Sequence, residues 1–289
     1  MKYKIWIFLL TFIATVLSIN ARADSPVWRI SKGEDHLFLG GTIHVLSHAD
    51  YPLPKAFEQA YRQAEQLVLE VDESELNSPQ FQQAVLSEML YQDGRTLETV
   101  LQPETFQALA QHLKSRGIPL QDMLKFKPAM AAITLSMIEL QSLGLAGTGV
   151  DQFFSLRAVN DGKPMGHLET VAEQLAFLAT MGQGVEDAMI NHTLRDLDDL
   201  PKMMDAMKAA WRKGDNKKLE EVALTPWKGE FPQVYQSLLV ERNNAWMPEI
   251  QAMLKTDEVE LVLVGALHLV GEDGLLTQLA SRGYTVKKL

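Results

Sequence analysis

The chain has 289 residues, no cysteine, and 37 acidic against 27 basic side chains, a formal net charge of -10. Without thiols, no disulfide braces the fold, and any metal would rest on His, Asp and Glu alone. The acidic balance, with no basic cluster, argues against nucleic acid or an anionic membrane surface as partner.

The first residues read as an address. Lys2 and Lys4 form a short basic start, Ile5 to Ile19 is apolar, and Ala21-Arg22-Ala23 has the small-x-small pattern of a secretory cleavage site. Cleavage after Ala23 is expected, leaving 24–289 as one domain outside the cytoplasm, in a bacterial periplasm. Losing Lys2, Lys4 and Arg22 with the leader takes the net charge from -10 to -13. No later segment is apolar for long enough to span a bilayer, so no membrane association is expected after cleavage.

Val27 to Ile30 and His36 to Leu39 predict a hairpin across the polar turn Ser31 to Asp35. A turn-rich loop, His48 to Pro54, leads to a helix over Lys55 to Ala64, and Gln66 to Val71 reads as a strand. The middle is almost wholly helical, with periodic segments over Pro79–Tyr91, Pro103–Arg116, Pro128–Leu143 and Val150–Asn160. Prolines near their starts and glycines near their ends punctuate them. Pro164 to Glu169 predicts a short strand, and helix resumes over Val171–Met181, Asp187–Ala210, Lys217–Leu224 and Glu241–Leu254. The Met-rich run around Met203, Met204 and Met207 reads as helix packing. The chain ends as strand Glu260–Gly265, loop His268–Asp273, helix Gly274–Ser281 and strand Tyr284–Leu289. Strand-forming sequence at both ends, with a large helical insertion between, predicts an α/β (α+β-like) fold. Its central sheet is built from N- and C-terminal segments.

Two stretches far apart say nearly the same thing. Leu37-Phe38-Leu39-Gly40-Gly41-Thr42-Ile43-His44 and Leu261-Val262-Leu263-Val264-Gly265-Ala266-Leu267-His268 are each an apolar run, a glycine, and a histidine three residues later. Such runs read as buried strands, whose carboxyl ends are where open α/β sheets place ligand sites. Other strand ends would add Glu70, followed by Asp72, and His167 with Glu169. Imidazoles and carboxylates gathered there would suit Zn, Mn or Co, and a cation with an open position activates water. The two histidines would then have to lie within roughly 12 Å of each other, since Zn–N bonds are about 2 Å long. A leftover carboxylate could serve as general base. Arg242 and Asn243 offer a planar fork for an oxyanion and an amide to orient a peptide group. Each candidate also has a plain structural reading: histidines packed at strand ends, Glu70 facing solvent from an edge strand, Glu169 at a helix N-terminus, Arg242 on a solvated helix start. His48 and His167 read as loop or surface histidines.

Taken together, these residues resemble the TraB/PrgY/GumN group, which is related to the Tiki ectodomains. The resemblance rests on Gly41-Thr42-Ile43-His44, Leu69-Glu70-Val71-Asp72, Leu168-Glu169-Thr170 with Glu173-Gln174, Glu241-Arg242-Asn243, Gly265-Ala266-Leu267-His268 and Gly283-Tyr284. They stand in the family's order along nearly all of the chain after the leader, and the secreted GumN-like branch fits best. It implies a Tiki-like α/β core and a metal-dependent peptidase acting on a peptide or protein. His44 and His268 would be the motif histidines and Glu70 the paired acid, while Glu169 and Arg242 complete the polar site. The resemblance leaves open how metal ligation and base catalysis divide among them. On the residues' own chemistry, His44, His268 and Glu70 are expected to hold a divalent metal, Glu169 to activate water, and Arg242 with Asn243 to hold substrate. Two other functions stay open: a peptide-sequestering protein without catalysis, and a metal-free, esterase-like hydrolase with His as base.

Overall fold

The computed structural model describes residues 25–289, so the expected leader and its cleavage site lie outside the described residues. Strand-forming sequence at the two ends of this region does meet in one sheet. Its strands are β1 (Val27–Lys32), β2 (Asp35–Thr42), β4 (Gln66–Leu69), β6 (Met165–His167), β7 (Glu260–Gly265) and β8 (Thr285–Lys288), in the order β6-β4-β7-β2-β1-β8. A second ladder of two residues a side pairs β3 (Val45–Leu46) with β5 (Gly147–Thr148).

The expected hairpin forms with a tighter turn. Pairing runs out to Lys32 against Asp35, and Gly33 takes the left-handed conformation (φ 68°) that so short a connection requires. The continuous apolar run Leu261 to Val264 has its explanation in the strand order. β7 is central, between β4 and β2, and all four of those side chains are 0 % exposed, each contributing about 1.5–3 kcal/mol by its burial. The strands β6, β4, β7 and β2 run parallel, with Phe38 opposite Leu261 and Leu67 opposite both Leu261 and Met165. Their carboxyl ends therefore share one edge of the sheet.

The helical middle matches expectation closely at Pro79–Met89, Pro103–Ser115, Pro128–Ser142, Val150–Asp161 and Val171–Thr180. Asp187–Ala210 is instead two helices, Glu186–Asp196 and Leu200–Lys213; the second carries Pro201 in its first turn, where the missing N–H costs nothing. Two stretches widen to π-helix, Glu220–Leu224 and Gln236–Glu241, and the second runs straight into the helix Arg242–Met253. His268 was expected to open a loop; it lies on a single helical turn, Ala266–Leu269. Among the described residues no helix is long and apolar enough to cross a membrane.

Candidate functional site

Parallel pairing of β2 with β7 sets Thr42 opposite Gly265, so the two Gly-x-x-His segments leave the sheet side by side. Gly265 explains itself by what surrounds it. A β-carbon placed there would lie 3.3 Å from Glu70 Oε1, 3.4 Å from His44 Nε2 and 3.5 Å from His268 Cδ2. Both histidines thus reach the same point beside Gly265, well inside the separation a shared site allows. Beside β7, the end of β4 supplies Glu70, and the Glu169 N–H donates to the Glu70 carbonyl at 2.9 Å, which seats Glu169 next to it.

Arg242 enters from the helix that follows the π-helical stretch. Its Nη2 donates to Glu70 Oε2 and to Glu169 Oε1, each at 2.6 Å, and its Nε to Glu169 Oε2 at 3.1 Å. Nη1 donates to His268 Nε2 at 3.1 Å and to the Leu238 carbonyl at 3.4 Å. One turn on, Trp246 places its ring 4.7 Å from the guanidinium carbon and 4.5 Å from the His268 ring, and its Nε1 donates to Glu169 Oε2 at 3.2 Å. Asn243 settles the state of His268. Its amide nitrogen donates to the carbonyls of His268 and Asp273 (3.1 and 2.9 Å), leaving Oδ1 to accept from His268 Nδ1 at 2.8 Å. His268 therefore carries its proton on Nδ1, and its Nε2 lone pair accepts from Arg242.

The electrostatics agree. Burial, with help from Arg242 and His44 and against the pull of Glu70, lowers the His268 pKa to about 3. Burial works to raise Glu70, but His268, Arg242 and His44 draw it down to about 2. With His268 itself neutral near pH 7, the permanent charge of Arg242 and the Gly265 N–H, which donates to Glu70 Oε1 at 2.6 Å, are what keep Glu70 ionised. Glu169 is raised, by burial first, despite its bonds to Arg242.

His44 differs in every respect. Its side chain is 64 % exposed, and its Nδ1 pairs with Asp151 Oδ2 at 2.9 Å. The β3–β5 ladder makes this contact: Val150 N–H donates to the Ile43 carbonyl at 3.1 Å, and a β-carbon on Gly149 would strike the His44 carbonyl oxygen at 2.1 Å. Only glycine lets the two segments approach so closely. The Asp151 charge, against the loss of hydration around the ring and with the Asp151 hydrogen bond, Glu70 and Glu73 behind it, raises the His44 pKa. Solvent around so open a ring screens part of that pull. His44 Nε2, beside Gly265, has no hydrogen-bond partner among the described residues.

The structure thus gathers His44, His268, Glu70, Glu169, Arg242 and Asn243, all six residues expected from sequence. The solvent-facing readings do not survive for Glu70 and Arg242, each 7 % exposed, whereas His268, 6 % exposed, is packed and bonded as its plain reading has it. Glu169 does not serve the next helix, whose capping box is made by Thr170 and Glu173. His48 and His167 are exposed, as expected. Sequence reasoning missed Asp151, Trp246 and Glu73, the last raised by burial and by Asp151 next to it.

A family model for TraB/PrgY/gumN proteins matches residues 26–288. The chain belongs to the TraB/PrgY/gumN family. It is 29% identical over 247 residues to a protein of Escherichia coli (strain K12) described as uncharacterized protein YbaP, covering 84% of this chain and 87% of that one. A Shigella flexneri protein of the same description matches with the same figures. No solved structure is significantly similar to it.

The divalent cation that the resemblance implies can be tested against these donors. His268 Nε2 and Glu70 Oε2 both accept from Arg242, Glu70 Oε1 accepts from Gly265, and both Glu169 oxygens are taken. Among the described residues no three His, Asp or Glu side chains stand where they could hold a metal ion together. As assembled, the His44, His268 and Glu70 set does not fit a bound cation, because the Arg242 guanidinium already takes His268 Nε2 and Glu70 Oε2. In the same arrangement the donors of Arg242 and Asn243, expected to hold substrate, are engaged within the protein.

Proposed function

We propose that this protein is a hydrolase of peptide bonds in which His44, oriented by Asp151, moves the proton. One observation carries the reading: His44 is the site histidine whose second ring nitrogen remains open, while a carboxylate holds the first at 2.9 Å. That is the arrangement of a base and its orienting partner. With Nδ1–H donated to Asp151, the Nε2 lone pair can take a proton from water as the water oxygen adds to the scissile carbonyl. The same Nε2–H then protonates the leaving amine as the C–N bond breaks, returning His44 to its starting state. Neighbouring carboxylates strengthen His44 as a base but lower the fraction free of its proton near neutrality, so the rate should rise with pH. The family resemblance supports a peptide as substrate, and the leader-like residues 1–23 support a place outside the cytoplasm, in the periplasm.

The test is cleavage of a peptide library by the purified mature protein, read by mass spectrometry, with and without chelator. Cleavage that persists in chelator and falls about 10²–10⁴-fold in kcat in His44→Ala supports the reading. Cleavage that stops on chelation and returns with Mn, Co or Zn would restore the metal-dependent peptidase. Peptide binding without cleavage, unchanged in His44→Ala, would favour sequestration.

A further inference from the structure

A guanidinium has five N–H donors in a fixed plane, and Arg242 has five acceptors around it. They are Glu169 Oε2, Glu169 Oε1, Glu70 Oε2, His268 Nε2 and the Leu238 carbonyl. They come from four separate segments: the ends of β4, β6 and β7, and the π-helical stretch ahead of Arg242 itself. Trp246 closes one face of the plane, and Arg242 is 7 % exposed. A side chain poised to catch a ligand would have a donor free; this one has none. Two carboxylates and an imidazole lone pair are the donor types a divalent cation collects; here they surround a guanidinium, spread over its separate nitrogens and not placed to hold a metal together.

We propose that Arg242 is the resident cation of the site, occupying the place of a divalent metal among Glu70, Glu169 and His268 and excluding one from it. A second cation among those acceptors would have to approach a fixed positive charge in a poorly hydrated space and break the bonds already made. The inference has two consequences. The protein as it stands takes up no divalent cation at this centre. Removing the guanidinium uncovers a latent cation site, because the three acceptor side chains are then left without a donor and free to close on the gap around a cation.

Cobalt(II) is the probe, read by its visible absorption and by the ring ¹⁵N signals of labelled histidines. In the wild-type protein, purified without chelator, we expect no bound cobalt and no shift of His268 Nε2. One equivalent bound through His268 would overturn the proposal. In Arg242→Ala we expect one equivalent to bind at least about 100-fold more tightly than in the wild type. That binding should shift His268 Nε2, be lost in Arg242→Ala/His268→Ala, and weaken when free guanidinium is added. A folded Arg242→Ala protein that ignores cobalt would also overturn the proposal. Because loss of one partner of a buried ion pair is strongly destabilising, Arg242→Lys serves beside it. That variant retains a charge, and it too should refuse cobalt; uptake by a folded Arg242→Lys would contradict the exclusion. The inference extends the metal-free reading of the site, yet none of these readouts is activity. A protein that excludes cobalt but cleaves nothing would sink the proposed hydrolase and leave the Arg242 assignment standing.

Discussion

His44 and His268 end two nearly identical stretches of sequence and do opposite things. One is open to solvent, bonded to a carboxylate through Nδ1, and bare at Nε2. The other is buried, fixed by Asn243 on one nitrogen and by Arg242 on the other, and held neutral. The motif places an imidazole at a strand end; what the imidazole can do is decided by distant segments packed against it. For His44 that segment starts at Gly147, and for His268 it starts at Gln236.

The comparison can be broken most sharply by truncating each ring. His268→Ala removes the acceptor of Arg242 and strands the Asn243 carbonyl oxygen in a buried setting, so it should cost about 2–4 kcal/mol in denaturant unfolding. His44→Ala loses little packing, since the ring is exposed, but leaves the buried Asp151 carboxylate without its partner, so it should cost less than His268→Ala, about 1 kcal/mol. Equal costs would erase the distinction between a working and a structural histidine.

The paired glycines give the next effect. A methyl at Gly41 would meet Leu269 Cδ1 at 3.0 Å and the Ala266 Cα at 3.1 Å, so Gly41→Ala should destabilise by about 1–3 kcal/mol through overpacking. At Gly265 the nearest groups are side-chain atoms at 3.3 to 3.5 Å. Gly265→Ala should keep the fold within about 1 kcal/mol yet set a methyl against His44 Nε2 and Glu70 Oε1 and lower turnover. The reverse ranking of the two variants would show that Gly265, not Gly41, is the packing glycine.

The two edges of the sheet offer a smaller contrast. At the carboxyl edge Glu70 is buried and fully bonded; at the amino edge Glu260 is buried with Oε2 unbonded. Burial first, then Glu258 and Glu65, raises the Glu260 pKa to about 7. A raised carboxyl pKa means the native state binds its proton more tightly than the unfolded chain. Stability from this group is present below its unfolded pKa near 4.5 and is lost as pH rises through about 7. Glu260→Gln should therefore gain about 1–2 kcal/mol above neutrality and close to nothing at acid pH, measured by urea unfolding across pH. A pH-independent difference would contradict it.

Much of this was legible from the chain. Strand ends Glu70, Gly265 and His268 follow apolar runs, so their shared edge could be foreseen, and Arg242-Asn243 stood out beside them. Asp151 could not be singled out, because an acid just after Gly149 and Val150 reads as an ordinary first-turn helix residue. Its meeting with His44 depends on two short strands 100 residues apart in sequence. The π-helical entry to Arg242 has no local signature, and Trp246 is one of several aromatic residues suited to a core. The direction of the Arg242 side chain was also beyond reach: sequence shows a guanidinium near two carboxylates, not that all five of its donors are taken from within.

Ring ¹⁵N NMR of the wild-type protein between about pH 5 and 8, where an ordinary histidine changes charge, tests the central claim most directly. The account predicts that His268 stays a neutral Nδ1–H tautomer throughout and that His44 holds its proton to higher pH than a free imidazole. A His268 ring that titrates in that window, or carries its proton on Nε2, would contradict it.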